Sequence, residues 1–454
     1  METTAHNEKR PSITTSPHKK IIVKKKIIID RRPESITEMG SNVSPIEPTP
    51  TIAPAPVPAH AHDTEEASDF VMQTMLTCIG NKRLLVDNIY SIANDIRERL
   101  GKEKLAIMDG FCGSAVVARK LSYIASKIYA NDLETYAHII ARASLETPCA
   151  QDRLRIAQHI DKMNNIAADA AASTSTSTSK NYANIGFVSR LYAPADTENI
   201  QPSERCFYTQ ENARAIDAMR AYIDDPDAGV PAHLRTYLIA PLLAKASIHA
   251  NTSGVFKGFH SDAGVGKWGG AGAKCLPRIK GLIQLDQPHW NIECEGQFET
   301  KVTQGDINKV VAEQIHDGEL DLLYLDPPYN QHPYGSNYFM LNLIANNEAP
   351  DETTLSRVSG IPNTWNRSNY NYKKTAVQDM TQLLAVGTKK SKFVLISYNN
   401  EGIIKDDEWA TLLMPYHVEK IEIKYNAYRG SRNLAARNDK VMERLYLISS
   451  QLHS

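Results

Sequence analysis

The chain has 454 residues, of which 42% are hydrophobic and 23% charged, a globular composition with room for two domains or for one large domain carrying an insertion. Its formal net charge is −1, so a nucleic-acid surface has to come from local segregation of charge. No run of about 18 apolar residues occurs, no signal pattern opens the chain, and a cytoplasmic protein is expected. The six cysteines (Cys78, Cys112, Cys149, Cys206, Cys275 and Cys294) are scattered without a Cys-x-x-Cys pair, which argues against a zinc site and a disulfide framework and implies no metal.

Residues 1–70 have the composition of a disordered arm. Met1 to Arg32 carries nine Lys and Arg against Glu2, Glu8 and Asp30, and Pro33 to Phe70 is acidic and proline-rich. Such a stretch cannot offset its ordering entropy. The arm is either a solvated tail or a basic clamp that holds DNA through Lys19, Lys20, Lys24, Lys25 and Lys26.

A strand–helix rhythm begins at Leu105–Asp109, an apolar run that leads through a Gly-containing turn into a helix over Ala115–Ile124. A second short strand, Lys127–Asn131, precedes a helix over Leu133–Leu145. The rhythm is lost between residues 151 and 300, a polar region that includes the Ser/Thr alternation Ala171–Ser179. It returns with strands at Leu320–Asp326, Lys392–Tyr398, His417–Tyr425 and Arg444–Ser449, and a helix over Tyr372–Val386. Alternating strands and helices predict a mainly parallel sheet covered on both faces, with the last two strands pairing antiparallel at one edge.

Three motifs fall at strand ends, where open α/β sheets bind ligands. The turn Asp109-Gly-Phe-Cys-Gly-Ser-Ala115 lets backbone approach a ligand and aims helix amides at it. Asn131-Asp132 ends the next strand, where an acid can hold ribose hydroxyls or merely cap a helix. Asp326-Pro327-Pro328-Tyr329 follows the strand Leu320–Leu325. Its prolines fix a rigid loop and lack N–H donors, so their carbonyls and the Asp carboxylate form an acceptor-only surface suited to an amino group. Tyr329 adds a flat face on which a base can stack.

Together these residues resemble the alpha group of adenine-specific DNA methyltransferases, the family that includes GATC-type and restriction–modification enzymes. The resemblance covers roughly residues 71–150 and 250–450. Ile79-Gly-Asn-Lys-Arg-Leu-Leu85 is similar to the family's amino-terminal cofactor motif, Asp109–Ala115 to its Phe-x-Gly-x-Gly loop, and Asp132 to its ribose-binding acid. Gly305-Asp306 is similar to the site of the acid that contacts the cofactor's adenine, and Asp326–Tyr329 to the catalytic motif. Ala115 departs from the pattern, standing where the family usually has a second glycine. Ser336–Asn342 and Arg367–Lys374 are similar to segments of one branch of the group.

The resemblance implies a seven-stranded, Rossmann-like methyltransferase core that uses S-adenosylmethionine. Asn81, Lys82, Asp109, Phe111, Gly113, Asp132 and Asp306 would hold the cofactor. Asp326 and the Pro327 carbonyl would orient the N6 amine of a flipped-out adenine, with Pro328 in the loop and Tyr329 stacked on the base. The expected organisation is a cofactor half at 71–150, an inserted target-recognition region at 151–300 and a catalytic half at 301–454. Lys257, Lys267, Lys274, Arg278 and Lys280 face only Asp262 in a Gly- and aromatic-rich stretch, so this is a candidate DNA loop, or a plain surface loop. Arg429, Arg432 and Arg437, with Lys440, form a second candidate between the last two strands. Duplex DNA is the expected partner, acted on by a monomer, with a restriction endonuclease as a separate protein. The alternatives are an amino methyltransferase for cytosine N4, RNA or a protein glutamine, and a non-catalytic DNA-binding protein on the same fold.

Overall fold

The computed structural model describes residues 22–28, 75–76, 78–172, 186–270, 273–290, 295–426 and 440–450. Its strands are β1 (Ile22–Ile28), β2 (Leu105–Asp109), β3 (Ala125–Asp132), the two-residue ribbon β4 and β5 (Ser261–Asp262 and Val265–Gly266), β6 (Glu299–Gln304), β7 (Leu320–Leu325), β8 (Ser391–Asn399), β9 (His417–Asn426) and β10 (Lys440–Ser449). All but the ribbon form one sheet in the order β1-β9-β10-β8-β7-β2-β3-β6. Pairing is parallel except at β10, which runs antiparallel between β8 and β9. The six strands read from the sequence are therefore present, with the last two paired antiparallel as their connection implies, and β6 brings the core to the seven that the resemblance implies.

Two strands depart from expectation. β6 reads Glu-Thr-Lys-Val-Thr-Gln, with one aliphatic residue; it pairs only with β3 at the edge of the sheet and needs little apolar surface. β1 adds an eighth strand at the opposite edge, parallel to β9, from within the arm expected to be disordered. Averaged over 70 residues, proline and charge hide this short β-branched segment, whose backbone an open strand edge can pair. The rest of the arm lies outside the described residues, as do most of Ala171–Ser179 and the segment holding Arg429, Arg432 and Arg437.

The period of two along each strand separates two cores. Ile107, Leu322, Tyr324, Leu395 and Leu445 face the layer of α1 (Val86–Arg99) and α2 (Val116–Leu121). Met108, Leu323, Leu325, Val394, Ile396 and Tyr446 face the other way. Every residue of β7 is buried, as befits a central parallel strand. Each fully buried Leu or Ile contributes about 1.5–3 kcal/mol.

A third core is helical. It joins α3 (Thr135–Leu145) and α4 (Ala150–Ala172) to α5 (Gln210–Asp224) and α6 (Arg235–Ile248). Tyr136, Ile160, Met219 and Leu242 are fully or almost fully buried there. Most of residues 151–250 are thus helical, although their composition suggests a polar interruption. Beyond α7 (Ile307–Gln314), this core also takes in Phe339 and Leu341 of α8 (Phe339–Asn346), so the inserted region packs against the segment that follows the Asp-Pro-Pro-Tyr loop. Helices α9 (Lys373–Lys390) and α10 (Asp406–Leu413) complete the sheet's second face.

Candidate active site

The chain runs outward from β2 through β3 to β6, then returns to β7 on the other side of β2. That reversal opens a crevice beyond the carboxyl ends of β2 and β7, the position where such sheets bind ligands. Asp109 is the last residue of β2, and Asp326 follows directly after β7. A cleft enclosing about 950 Å³, open solvent included, lies there. Asn81, Lys82, Asp109, Phe111, Gly113, Asp132, Asp306, Asp326 and Pro328 all line it. Pro327 and Tyr329 stand beside the cleft without lining it.

The turn after β2 is held from three sides. The Gly110 amide donates to the Tyr324 carbonyl at 2.9 Å, and the Cys112 amide to the Asn131 carbonyl at 2.9 Å. The Gly113 amide donates to Asp132 Oδ2 at 2.9 Å. Ala115, fully buried, adopts φ 59°, a left-handed conformation that costs a residue with a Cβ roughly 1–2 kcal/mol. The turn survives the missing glycine, as the small alanine side chain allows. Phe111 meets Tyr370 edge-on at 5.3 Å, and the Tyr370 hydroxyl donates to Asn308 Oδ1 at 2.6 Å. Asp306 caps α7, accepting from the Asn308 amide at 3.0 Å and the Lys309 amide at 3.3 Å.

The charge of the cleft is mostly negative. Asp109, Asp132, Glu134, Asp306 and Asp326 line it, and Lys82 is the single lysine or arginine among the lining residues. Burial pushes the Asp109 carboxyl up to about 8, helped by the nearby Asp326 charge. Asp109 Oδ1 is buried with no hydrogen-bond partner among the described residues, which makes it an unmet acceptor within the cleft. Burial raises Asp326 to about 6, with Lys82 opposing the shift and Glu443 adding to it. Lys82 Nζ lies 2.8 Å from Asp326 Oδ1 and 5.5 Å from the centre of the Tyr329 ring.

Several residues of this site gave no signal in the sequence. Glu134 accepts from Asn342 Nδ2 at 2.6 Å and Asn366 Nδ2 at 3.2 Å, joining the end of β3 to two later segments. Those segments fall within Ser336–Asn342 or abut Arg367–Lys374, the stretches similar to one branch of the family; Glu134 itself stands in no motif. Tyr334 donates to the Ile79 carbonyl at 2.7 Å, and the Ile79 amide donates to the Tyr338 hydroxyl at 2.8 Å. Asn371 Nδ2 donates to the Asn330 carbonyl at 2.7 Å, bracing the loop after Tyr329. Glu443, on β10, reaches Lys82 from 361 positions away in sequence.

The candidate DNA residues lie apart from one another in character. Lys257 is exposed and its Nζ is 3.4 Å from His332 Nδ1, on the loop that follows Tyr329. Lys267 pairs with Asp262 and Lys280 with Glu198. Arg278 turns inward to the carbonyls of Ile248 and Ala250 at the end of α6. The aromatic residues of this region are also engaged with the protein. Phe256 is buried against Phe207, and Trp268 Nε1 donates to the Thr197 carbonyl at 2.8 Å.

Comparison with known proteins identifies the family. Residues 79–264 and 285–411 match the family model of the D12 class N6 adenine-specific DNA methyltransferases. Over 378 residues the chain is 24% identical to the modification methylase StsI of Streptococcus sanguinis, an alignment that covers 82% of this chain and 51% of that protein. It is 25% identical over 370 residues to the type II methyltransferase M.CviAII of Paramecium bursaria Chlorella virus 1, covering 82% and 97%. With M.NlaIII of Neisseria lactamica it shares 27% identity over 300 residues, covering 65% and 75%. The chain therefore spans about half the length of the streptococcal protein and nearly all of the viral one. The matched stretch takes in both strand ends of the cleft and most of the chain, and the protein belongs to the D12 class N6 adenine-specific DNA methyltransferases.

Proposed function

We propose that this protein methylates the N6 amino group of a flipped-out adenine at a specific site in duplex DNA, with S-adenosylmethionine as the donor. The observation that carries the reading is the position of Asp326: it stands at the switch point of the sheet, beside Lys82, at the edge of an acidic cleft. The cleft suits the donor. Its surplus of carboxylates complements a sulfonium and an ammonium group, the unmet Asp109 Oδ1 offers an acceptor, and the Phe111 ring gives a face for an adenine. Bound there, S-adenosylmethionine supplies an electrophilic methyl group on sulfur. Asn81, Lys82, Asp109, Phe111, Gly113, Asp132 and Asp306 are the residues proposed to hold it.

Asp326 and the Pro327 carbonyl would accept the two hydrogens of the target amine. That geometry draws the nitrogen lone pair out of the aromatic ring and stabilises the positive charge that grows on nitrogen during transfer. Pro327 and Pro328 hold the loop rigid, so little reorganisation is needed at that moment. Tyr329 would stack on the extruded base. Its ring is braced edge-on against Tyr398 at 6.3 Å, and its carbonyl accepts from the Ile403 amide at 3.0 Å.

The matched relatives bear the names modification methylase and type II methyltransferase. By extension, we place this chain in a restriction–modification system, with a restriction endonuclease as a separate protein. The test is transfer of labelled methyl from S-adenosylmethionine to mixed-sequence duplex DNA, followed by nucleoside analysis, with Asp326→Ala in parallel. N6-methyladenine from the natural protein and none from the variant supports the reading. N4-methylcytosine overturns the choice of base, and equal labelling by the variant overturns the role of Asp326.

A further inference from the structure

Residues 365–374 follow the Asp-Pro-Pro-Tyr loop in sequence and are tied to it in the fold, yet none of the roles assigned above uses their outer side. The segment is pinned at two points. Asn366 Nδ2 donates to the Leu133 carbonyl and to Glu134 Oε2, each at 3.2 Å. The Asn366 backbone also presses on Gly335, where a Cβ would lie 2.5 Å from the Asn366 carbonyl oxygen. Further on, Asn371 Nδ2 donates to the Asn330 carbonyl at 2.7 Å, and Asn330 directly follows Tyr329.

The pinned segment has two sides. Asn366, Ser368, Tyr370 and Asn371 line the cleft. Extended backbone at Ser368, with φ −91° and ψ 133°, sends neighbouring side chains to opposite sides. Arg367, Lys373 and Lys374 do not line the cleft; all three are exposed, and none forms an ion pair among the described residues. Arg367 is nevertheless held in place, its Cζ 4.2 Å from the centre of the partly buried Trp365 ring. A guanidinium stacked in this way keeps its in-plane N–H donors for an anion and loses little further rotamer freedom on binding one. Tyr372, 38% exposed, adds a ring next to the two lysines in sequence.

Position decides what these cations can meet. Lys373 stands two residues from Asn371, so their Cα atoms are at most about 8 Å apart, and Asn371 touches the loop that carries Asp326 and Tyr329. A base extruded into the cleft brings the phosphates on either side of it to the rim. We propose that the outer side of residues 365–374 binds the backbone of the strand that carries the target base, with Arg367 on one phosphate beside the extruded nucleotide and the Lys373–Lys374 pair on another. The proposal rests on the reading that duplex DNA is the substrate whose base enters this cleft. The glycine-rich stretch is less suited to the task. Lys267 pairs with Asp262, Lys280 with Glu198, and Arg278 with main-chain carbonyls. A phosphate has to win those cations from their partners, whereas Arg367, Lys373 and Lys374 give up only water and counterions.

The experiment titrates labelled mixed-sequence duplex with the full-length protein between 50 and 200 mM salt, and measures KM for DNA, KM for S-adenosylmethionine and Tm. The variants are Arg367→Ala, Arg367→Lys and the double variant Lys373→Ala/Lys374→Ala. Lys389→Ala is the control: an exposed lysine sixteen residues along α9 from Lys373 and so about 24 Å away. Arg367→Ala should reduce the slope of log K against log[salt] by about one, and the double variant by about one to two. Each lost phosphate contact should weaken binding by about tenfold near 0.1 M salt. KM for S-adenosylmethionine and Tm should hold, Arg367→Lys should keep the slope with an intermediate affinity, and Lys389→Ala should change nothing. Unchanged slopes for both Arg367→Ala and the double variant overturn the proposal. So does an equal loss from Lys389→Ala, which would mean a diffuse positive field instead of a site. A rise confined to KM for S-adenosylmethionine also overturns it, since the segment would then cover the cofactor. A natural protein that binds duplex without methylating it sinks the underlying reading, and the slopes then still decide the phosphate site; methylation with unaltered slopes sinks this proposal alone.

Discussion

The Gly113 amide and Asp132 Oδ2, 2.9 Å apart, tie the turn after β2 to the end of β3. The Glu134 amide occupies the other oxygen, Oδ1, at 3.0 Å. One side chain thereby fixes two loops that line the cleft. Asp132→Asn would set an NH2 group against one of these amides, and a buried donor without an acceptor costs about 1–3 kcal/mol. We expect a lower Tm for the cofactor-free protein and roughly tenfold or greater loss of S-adenosylmethionine affinity by calorimetry, tenfold corresponding to about 1.4 kcal/mol. An Asn variant with natural Tm and affinity would show that the tie carries no weight.

Asp109 predicts a pH dependence of stability. Its carboxyl is raised from 3.8 to about 8, mainly by burial, so the folded protein keeps a proton that the unfolded chain releases. At pH below about 4 both states are protonated and the group contributes nothing to the difference. As pH rises from 4 to 8, the unfolded chain gains a favourable ionisation that the fold denies, and stability falls. Asp109→Asn removes this loss, so its stability relative to the natural protein should grow with pH across that window. Urea unfolding at pH 4.5, 6 and 8 without cofactor measures it; a difference that stays constant with pH rules the effect out.

These two carboxylates were visible in the sequence because each ends an apolar strand and begins a turn, a local pattern that places a side chain at the sheet's ligand-binding edge. The same locality explains why Asp326-Pro-Pro-Tyr329 was legible: rigidity and missing donors are properties of adjacent residues. Glu443 and Glu134 were not. Glu443 lies in an apolar strand where nothing nearby marks it as different from a surface charge, and Lys82, which it meets in the fold, is 361 positions away in sequence. The helices of residues 151–250 were missed for a related reason. Their apolar faces are interspersed with charge, and they are stabilised by packing against each other and α8 rather than by a strong local pattern. Among the candidate DNA cations, composition could not tell Lys257, exposed beside His332, from Arg278, which is spent on main-chain carbonyls.

Gly80 has φ +80° and leaves no room for a side chain. A Cβ there would lie 2.9 Å from the Tyr334 hydroxyl and 3.0 Å from that of Tyr329. Gly80→Ala combines backbone strain of roughly 1–2 kcal/mol with displacement of the ring proposed to stack on the base. Tyr334 would also be pushed from its 2.7 Å bond to the Ile79 carbonyl. The expected result is a lower Tm and a fall in kcat larger than any rise in KM for DNA, since the reacting geometry is disturbed more than the encounter. A change confined to Tm would mean that the tyrosines adjust without consequence for the reaction.

Lys257 and Arg278, both basic residues of one glycine-rich stretch, should behave in opposite ways. Lys257 is exposed near the loop that follows Tyr329. If its ammonium meets a DNA phosphate, Lys257→Ala should weaken binding to all sequences alike and reduce the slope of log K against log[salt] by about one. Arg278 instead donates to the Ala250 carbonyl at 3.1 Å and to that of Ile248, so it satisfies the end of α6. Arg278→Ala should cost about 1–3 kcal/mol of stability, a charged hydrogen-bond partner being lost, and leave the salt slope unchanged. Titrating labelled duplex with each variant between 50 and 200 mM salt, alongside urea unfolding, separates the two roles. A reduced slope for Arg278→Ala would mean that its guanidinium leaves α6 to meet the backbone of DNA, and an unchanged slope for Lys257→Ala would move the phosphate contact elsewhere on the protein.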